Sequence, residues 1–474
     1  MSDARRWAEV EFGQVELGDR RRTRRLVELA AEVASRPAGK VTQACRTSAS
    51  QEGAFRWLAN QALDHRPVAR AIERATLGRC KTAKRVFVPI DATSISVTDE
   101  KGSKDLGAVG TWSQGGRGVH AMTAFAVAED GRPLGICGQR MWVREQRSRL
   151  EGSERSASTD DRETRFWMDL LQSTQADFAD VAPDCRPWFQ LDRGADCWPV
   201  LDAAHRLNLL LTVRSAHDRR LDGRTRLLWS ELSRRPVSAH LRITVPARPP
   251  ARRRERRNGQ RIHWMTPPRP ARIAKLALRA AAVPVVLTTI KGRTSTVELN
   301  AVFVRELDRP ADDRLEWMLI TTHPVRTRAE VLAVVRGYTL RWRIEELHRT
   351  WKRGLCRVED SQLRSRGALF KWATLLAAVA SRAMQLTYRA RNEPDVPATE
   401  ELTTTELEAL ISLRRPKNIR LNHVPTLALA VRWLADLGGY VGPRNGPPGP
   451  TVVGRGLHDV LAAARAFEHR DKLR

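Results

Sequence analysis

RVFVPIDATSI, residues 85–95, is the stretch on which the fold turns. Its first half is apolar and rich in β-branched and aromatic residues, and the run reaches an acid, Asp91, followed by Ala92, Thr93 and Ser94. It reads as a buried strand that delivers a carboxylate near its end. Taken alone, Asp91 serves a turn cap as well as it serves a site. A second run of the same kind, PWFQLDRGAD at 187–196, ends on Asp192. Between them HAMTAFAVAEDGRPLGICGQRMWV (120–143) reads as a hairpin with Asp130-Gly131 as its turn. An amphipathic helix with Phe166, Trp167, Leu170 and Leu171 follows, and after Asp192 come a helix and the strand LNLLLTVRS, which ends at Arg214. Strand, hairpin, helix, strand-Asp, helix, strand is the order of a ribonuclease H-like mixed sheet. That α/β (α+β) architecture brings two strand-end carboxylates to one edge.

The third acid comes from TRAEVLAVVRGYTLRWRIEELHRTWKRG, residues 327–354. It predicts one helix of about seven turns, opened by a Thr327–Glu330 capping box and closed before Gly354. Tyr338, Arg341, Glu345, Arg349 and Lys352 fall on one stripe at about 100° per residue, away from the face expected to be buried. Leu340, Ile344, Leu347 and Trp351 take the opposite stripe, which should pack on a core. Arg341–Glu345–Arg349 alone would be an ordinary salt-bridge ladder. With two strand-end aspartates upstream, Glu345 completes a carboxylate set suited to a pair of hard divalent ions, Mg²⁺ with Mn²⁺ as substitute. Two such ions stabilise the attacking and leaving oxygens of phosphodiester cleavage. The flanking cations would then grip DNA phosphates.

The 474 residues allow several domains, and Lys+Arg 82 against Asp+Glu 54 gives a formal net charge of +28, which favours a polyanionic partner. Six scattered cysteines without a CxxC pair argue against a zinc module or a disulfide framework. No 18-residue apolar run and no signal region are present, so a soluble, cytoplasmic, nucleoid-associated protein without membrane contact is expected.

Residues 1–80 read as a helical domain that contacts the DNA backbone: Asp19 caps a helix whose first turns are crowded by arginines, and SASQEGAFRWLAN sets Arg56 between Phe55 and Trp57. Cations at a helix N-terminus oppose its dipole unless phosphates lie nearby. Residues 81–390 form the catalytic core, with a β-rich insertion at about 218–316 that holds a basic loop, ARRRERRNGQR (251–261). The glycine-rich segment Gly107–Gly118 should be mobile, 145–165 a polar loop, and 391–405 a linker. Helices of 391–474, separated by a turn at RNGPPGPT, form a C-terminal domain suited to dimerisation.

YTLRWRIEELHRTWK resembles the Tyr-Arg-Glu-Lys motif of the insertion-sequence-four family of cut-and-paste transposases, with Tyr338, Arg341, Glu345 and Lys352 in the motif's spacing. The resemblance is collinear over nearly the whole chain, through LGDRRRTRRL, QEGAFRWLANQ, Asp91-Ala-Thr-Ser, Asp192-Arg-Gly-Ala-Asp196, VRS at 213–215 and WMLITTHPV at 317–325. It implies a catalytic triad of Asp91, Asp192 and Glu345. It further implies binding of transposon ends, nicking and hairpinning of those ends, and transfer of the 3′ ends to target DNA by a homodimeric synaptic complex. Trp317 takes the position of a tryptophan on which a flipped base stacks. Arg214, Tyr338, Arg341 and Lys352 match residues that hold phosphates or the distorted end, and Arg22, Arg25 and Arg56 match end-binding positions. Arg349 departs from the pattern, standing where a relative carries lysine, and Gly194 stands where one carries glutamate. A non-catalytic DNA-binding relative or inhibitor, or a structure-specific nuclease on the same core, are the competing readings. The full set of acids disfavours the first, and the end-binding match and Trp317 disfavour the second.

Overall fold

A continuous buried run from Val86 to Ile90 forms the first half of the expected first strand, and the computed structural model places the other core elements in the expected order. The structure describes residues 3–110, 116–144, 164–247, 250–257, 260–289, 291–414, 424–442 and 446–472. The chain divides into two compact units. One comprises Met1–Leu191, Thr339–Val441 and Pro448–Arg474; the other comprises Asp192–Tyr338 and Gly442–Pro447.

The first unit starts with five helices, α1 (Asp3–Phe12), α2 (Arg20–Ser35), α3 (Val41–Ala44), α4 (Ser48–Ala59) and α5 (His65–Cys80). Asp19 caps α2 as anticipated, its side chain accepting from the Arg21 amide at 2.8 Å. Leu26, Leu29, Ala30 and Val33 of α2 are all buried. The sheet strands follow: β1 (Arg85–Ser96), β2 (Gly107–Val109), β3 (Gly116–Val127) and β4 (Pro133–Trp142), then α6 (Thr164–Val181) and β5 (Arg186–Leu191). Within this unit the strand order is β2-β3-β1-β5, with β4 pairing β3. β1 runs antiparallel to β3 and parallel to β5, so the sheet is mixed.

The glycine-rich segment differs from the expectation of mobility. Its ends are paired strand, Gly107 opposite Gly118, and a Cβ at Gly118 would lie 1.9 Å from the Ile95 carbonyl oxygen. Close strand approach, rather than freedom, accounts for that glycine; residues 111–115 lie outside the described residues. The Asp130-Gly131 turn is as expected, with Gly131 at φ +86°. Residues 145–163 of the expected polar loop lie outside the described residues.

The second unit contains α7 (Trp198–Arg206), β6 (Leu210–Arg214), α8 (Leu228–Ser233), β7 (Ala239–Val245), β8 (Ala251–Arg257), β9 (Gln260–Thr266), β10 (Arg272–Thr288), β11 (Thr294–Glu306), β12 (Glu316–Thr321) and α9 (Arg328–Thr339). Its strand order is β6-β12-β11-β10-β7, antiparallel at each pairing. The basic stretch at 251–261 is not a loop: β8 and β9 pair as a separate two-stranded hairpin, Arg254 opposite His263. Its arginine density hid the extended pattern.

Back in the first unit, α10 (Trp342–Lys352), α11 (Arg366–Asn392), α12 (Thr404–Arg414), α13 (Leu427–Leu437) and α14 (Pro450–Lys472) complete the chain. The expected linker at 391–405 is partly ordered structure: α11 runs to Asn392, a 3₁₀ turn covers Ala398–Glu400 and Pro397 bridges Thr426. α14 begins at Pro450, inside the stretch read as a turn; residues 444–445 of that turn lie outside the described residues. The N-terminal helices share one apolar core with β1, β3, α10 and α11, while α12–α14 build a second core with the end of α11. The result is a mixed α/β fold, as a ribonuclease H-like core requires.

Candidate active site

The helix expected over 327–354 is two helices. The Thr327–Glu330 capping box is present, with reciprocal bonds of 2.8 and 3.2 Å. α9 ends at Thr339 and α10 starts at Trp342, and the Arg343 and Ile344 amides bond three residues back, to Leu340 and Arg341. Arg341 keeps helical backbone angles, so the break is a tightened turn. Tyr338, placed on the solvent stripe by sequence, is buried.

α10 is fixed from two sides. Ile344, Leu347 and Trp351 are buried, and the Trp351 indole donates to the Ala373 carbonyl of α11 at 3.0 Å. The Arg343 guanidinium donates to the Gly131 carbonyl at 3.1 Å and to Glu346, and lies over the Tyr388 ring, whose hydroxyl donates to Glu346 at 2.7 Å. The β3–β4 turn thus seats the helix whose other stripe carries Arg341, Glu345 and Lys352.

That stripe meets Asp91. The Arg341 guanidinium lies 3.5 Å from Asp91 Oδ2 and 3.2 Å from Glu345 Oε1, so one cation holds both acids. Asp91 Oδ1 also accepts from the Ala92 amide. Lys352 Nζ donates to Thr93 Oγ1 at 3.3 Å and lies 3.5 Å from Glu359, which also takes Arg353 and the Ser96 amide. Burial works against the Glu359 charge, yet the bond from Arg353 and its other donors hold its carboxyl below the usual range.

Sequence reasoning missed His348. It lies three residues from Glu345, and one donor atom each from Asp91, Glu345 and His348 can be chosen so that all lie within 4.8 Å of one another. Two donors on opposite sides of an ion with bonds of about 2.1 Å stand about 4.2 Å apart, so small side-chain shifts close the set on a cation. His348 Nε2 is buried and has no hydrogen-bond partner among the described residues. Burial first, then the charges of Lys352 and Arg341, push its pKa down to about 3. An orphaned buried nitrogen beside two carboxylates fits a bound metal. The signal available in sequence was the Glu-x-x-His spacing, which puts both side chains on one helix face.

The second unit holds the other expected residues. Asp192 caps the 3₁₀ turn Arg193–Ala195 and accepts from the Gly194 amide at 2.8 Å. It follows Leu191, the residue of β5 that pairs with Ile90, just as Asp91 follows Ile90 in β1. Asp196 is the structural acid of this stretch: it is buried, pairs with Arg219 and accepts from Ser215 Oγ at 3.0 Å. Trp317 and Tyr338 meet edge to face, centroids 5.7 Å apart, and Arg214 donates to the Glu316 carbonyl at 3.2 Å. Strand register and α9 therefore gather Arg214, Trp317 and Tyr338.

Among the arginines expected to bind DNA ends, Arg56 is exposed and pairs with Glu52. Arg22 donates to the Leu17 carbonyl at 3.1 Å, and Arg25 ties α2 to α4 through the Ser50 carbonyl at 2.7 Å. Arg20, Arg21 and Arg24 are exposed on the same helix. Arg349 is exposed on α10. No helix among the described residues is long and apolar enough to cross a membrane.

A mixed sheet that sets a strand carboxylate, Asp91, beside the carboxylate of a basic helix, Glu345, suits a class of metal-dependent enzymes acting on a polyanionic backbone. Two family models make the class specific: Transposase DNA-binding matches residues 4–63, and Transposase DDE domain matches residues 208–381. The chain thus carries a transposase DNA-binding domain and a DDE transposase domain, and is a metal-dependent DNA-cleaving and strand-transfer enzyme. The first match spans Arg22, Arg25 and Arg56; the second contains Arg214, Trp317, Glu345 and His348.

Proposed function

We propose that this transposase moves its element by cut and paste, as a member of the insertion-sequence-four family near the transposon-five transposase. Asp91, Asp192 and Glu345 hold two divalent ions, Mg²⁺ with Mn²⁺ as substitute. The observation that carries the reading is Asp91 and Glu345 meeting on one guanidinium, their carboxylates close enough to share an ion. For Asp192 the support is the parallel register of β1 with β5, in which both strands run into an aspartate at matching positions. When bound, the ions supply Lewis acidity to phosphodiester cleavage.

Each of the chain's own groups has a role beside them. Arg341 neutralises the two acids in the DNA-free protein, and its fork would offer the same donors to a phosphate entering the site. Lys352 and Arg349 grip the backbone near the cut, and Arg22, Arg25 and Arg56 bind the terminal repeat within a domain of residues 1–80. Trp317, backed by Tyr338 and flanked by Arg214, gives a flipped base a stacking surface in the insertion at about 218–316. Two copies act together on two ends, joined through residues 391–474.

Purified protein incubated with Mg²⁺ and duplexes ending in the element's terminal repeats tests this. Hairpinned and excised ends are expected, and sequence-independent cutting with no hairpin would overturn it in favour of a simple nuclease. Trp317→Ala should slow hairpin formation roughly tenfold to a hundredfold, since base–aromatic stacking contributes about 1–3 kcal/mol. The first nick should change little. Equal loss at both steps, measured by single-turnover kinetics, would remove the stacking role.

A further inference from the structure

We infer that His348 is a nitrogen ligand of the ion held by Asp91 and Glu345, and that it shifts this site's preference from Mg²⁺ towards Mn²⁺ and later first-row ions. The inference rests on Asp91 and Glu345 being metal ligands. His348 sits one helical turn from Glu345 and is 6% exposed. Its Nε2 has no hydrogen-bond partner among the described residues, while a donor atom of the ring lies within 4.8 Å of an oxygen of each acid. A buried polar atom left unmatched destabilises the fold, and most such atoms in proteins find a partner. The neighbours do not relieve it: Arg341 is turned to the two carboxylates and Lys352 to Thr93 and Glu359. An ion between Asp91 and Glu345 is the partner that matches the ring.

The chemical consequence follows from donor softness. Carboxylates and water suit Mg²⁺ and Mn²⁺ alike, whereas imidazole adds affinity for Mn²⁺ and more for Co²⁺ or Ni²⁺. A site with two carboxylates alone discriminates weakly between Mg²⁺ and Mn²⁺; one nitrogen tilts it.

Mn²⁺ titration of the full-length protein, followed by electron spin resonance, tests this without reference to activity. Bound Mn²⁺ should show electron spin-echo modulation from a directly coordinated nitrogen, and that modulation should change to the ¹⁵N pattern when the protein is made with ¹⁵N-histidine. His348→Gln should abolish the modulation and weaken Mn²⁺ binding about tenfold or more, a loss typical even of groups that only support a ligand. Mg²⁺ binding, measured by competition, should weaken by a smaller factor. Mn²⁺ bound without nitrogen modulation, or modulation that survives His348→Gln, would overturn the assignment of His348 and leave the carboxylate site standing. Mn²⁺ binding that neither Asp91→Asn nor Glu345→Gln diminishes would overturn the carboxylate site itself, and this inference with it.

Discussion

Glu345→Gln should lower DNA cleavage by about a thousandfold or more while leaving binding of the terminal repeat within about threefold. The first figure follows from the several kcal/mol of charge stabilisation that correctly held ions give a phosphoryl transition state, at 1.36 kcal/mol per tenfold. The second follows because affinity for DNA comes from many phosphate contacts, and Glu345 makes none of them. The variant should fold. The Glu345 side chain is 35% exposed and its pair with Arg341 is i,i+4 on one helix, an arrangement that contributes at most about 1 kcal/mol. Glutamine keeps the size and one carbonyl acceptor for Arg341, so the change isolates the charge. Gel-based cleavage beside a binding titration checks both halves. Cleavage within about tenfold of the parent, a loss of only ~1.4 kcal/mol, would remove Glu345 from the metal set.

The reading of Glu345 came from spacing, and spacing was a good guide wherever one face of an element is buried. The β-rich character read at about 218–316 is present in β7 and β11, Ala239–Val245 and Thr294–Glu306. Asp19 and Thr327 cap helices as their side chains dictate. Sequence was a poor guide where tertiary packing outweighs local pattern. At 251–261 arginines outnumber every other residue, yet the backbone pairs in register as a hairpin, because β pairing asks only for extended chain. At Leu340–Arg341 nothing local marks a break, since neither residue is a helix breaker; the division of the chain into two units falls beside it, between Tyr338 and Thr339.

His348 was illegible for a different reason. A histidine beside Leu347 on a helix reads as core, and it is indeed core by burial. Its chemistry depends on which oxygen atoms stand opposite, and those belong to Asp91, some 250 residues earlier in the chain. The same limit applies to Arg22 and Arg25, where sequence supplies the charge but only the fold reveals that Leu17 and Ser50 carbonyls take the guanidinium protons.

Trp351→Ala should cost about 3–5 kcal/mol of stability, the range for truncating a large buried aromatic side chain. Trp351 is fully buried and among the largest side chains so placed. Its indole N–H donates to the Ala373 carbonyl, joining α10 to α11 across the core. Alanine removes the ring, leaves a void and gives up that bond, whereas Trp351→Phe keeps most of the ring volume and should lose about 1–3 kcal/mol. Fourteen tryptophans make fluorescence a poor local reporter, so urea unfolding is better followed by far-ultraviolet circular dichroism. The functional consequence is sharper than the thermodynamic one. Trp351 faces the core from the helix that carries Glu345 and His348 and follows directly on Arg341, so a void beneath α10 loosens the very groups that meet Asp91. Positioned groups lose rate steeply when displaced by about 1 Å, up to about a hundredfold. Cleavage by the folded fraction of Trp351→Ala should therefore fall, while end binding through residues 1–80 stays near that of the parent. A stability loss below about 1 kcal/mol would mean that the core closes around alanine, and unchanged cleavage would mean that α10 is held in place by the Arg343–Gly131 and Tyr388–Glu346 contacts alone.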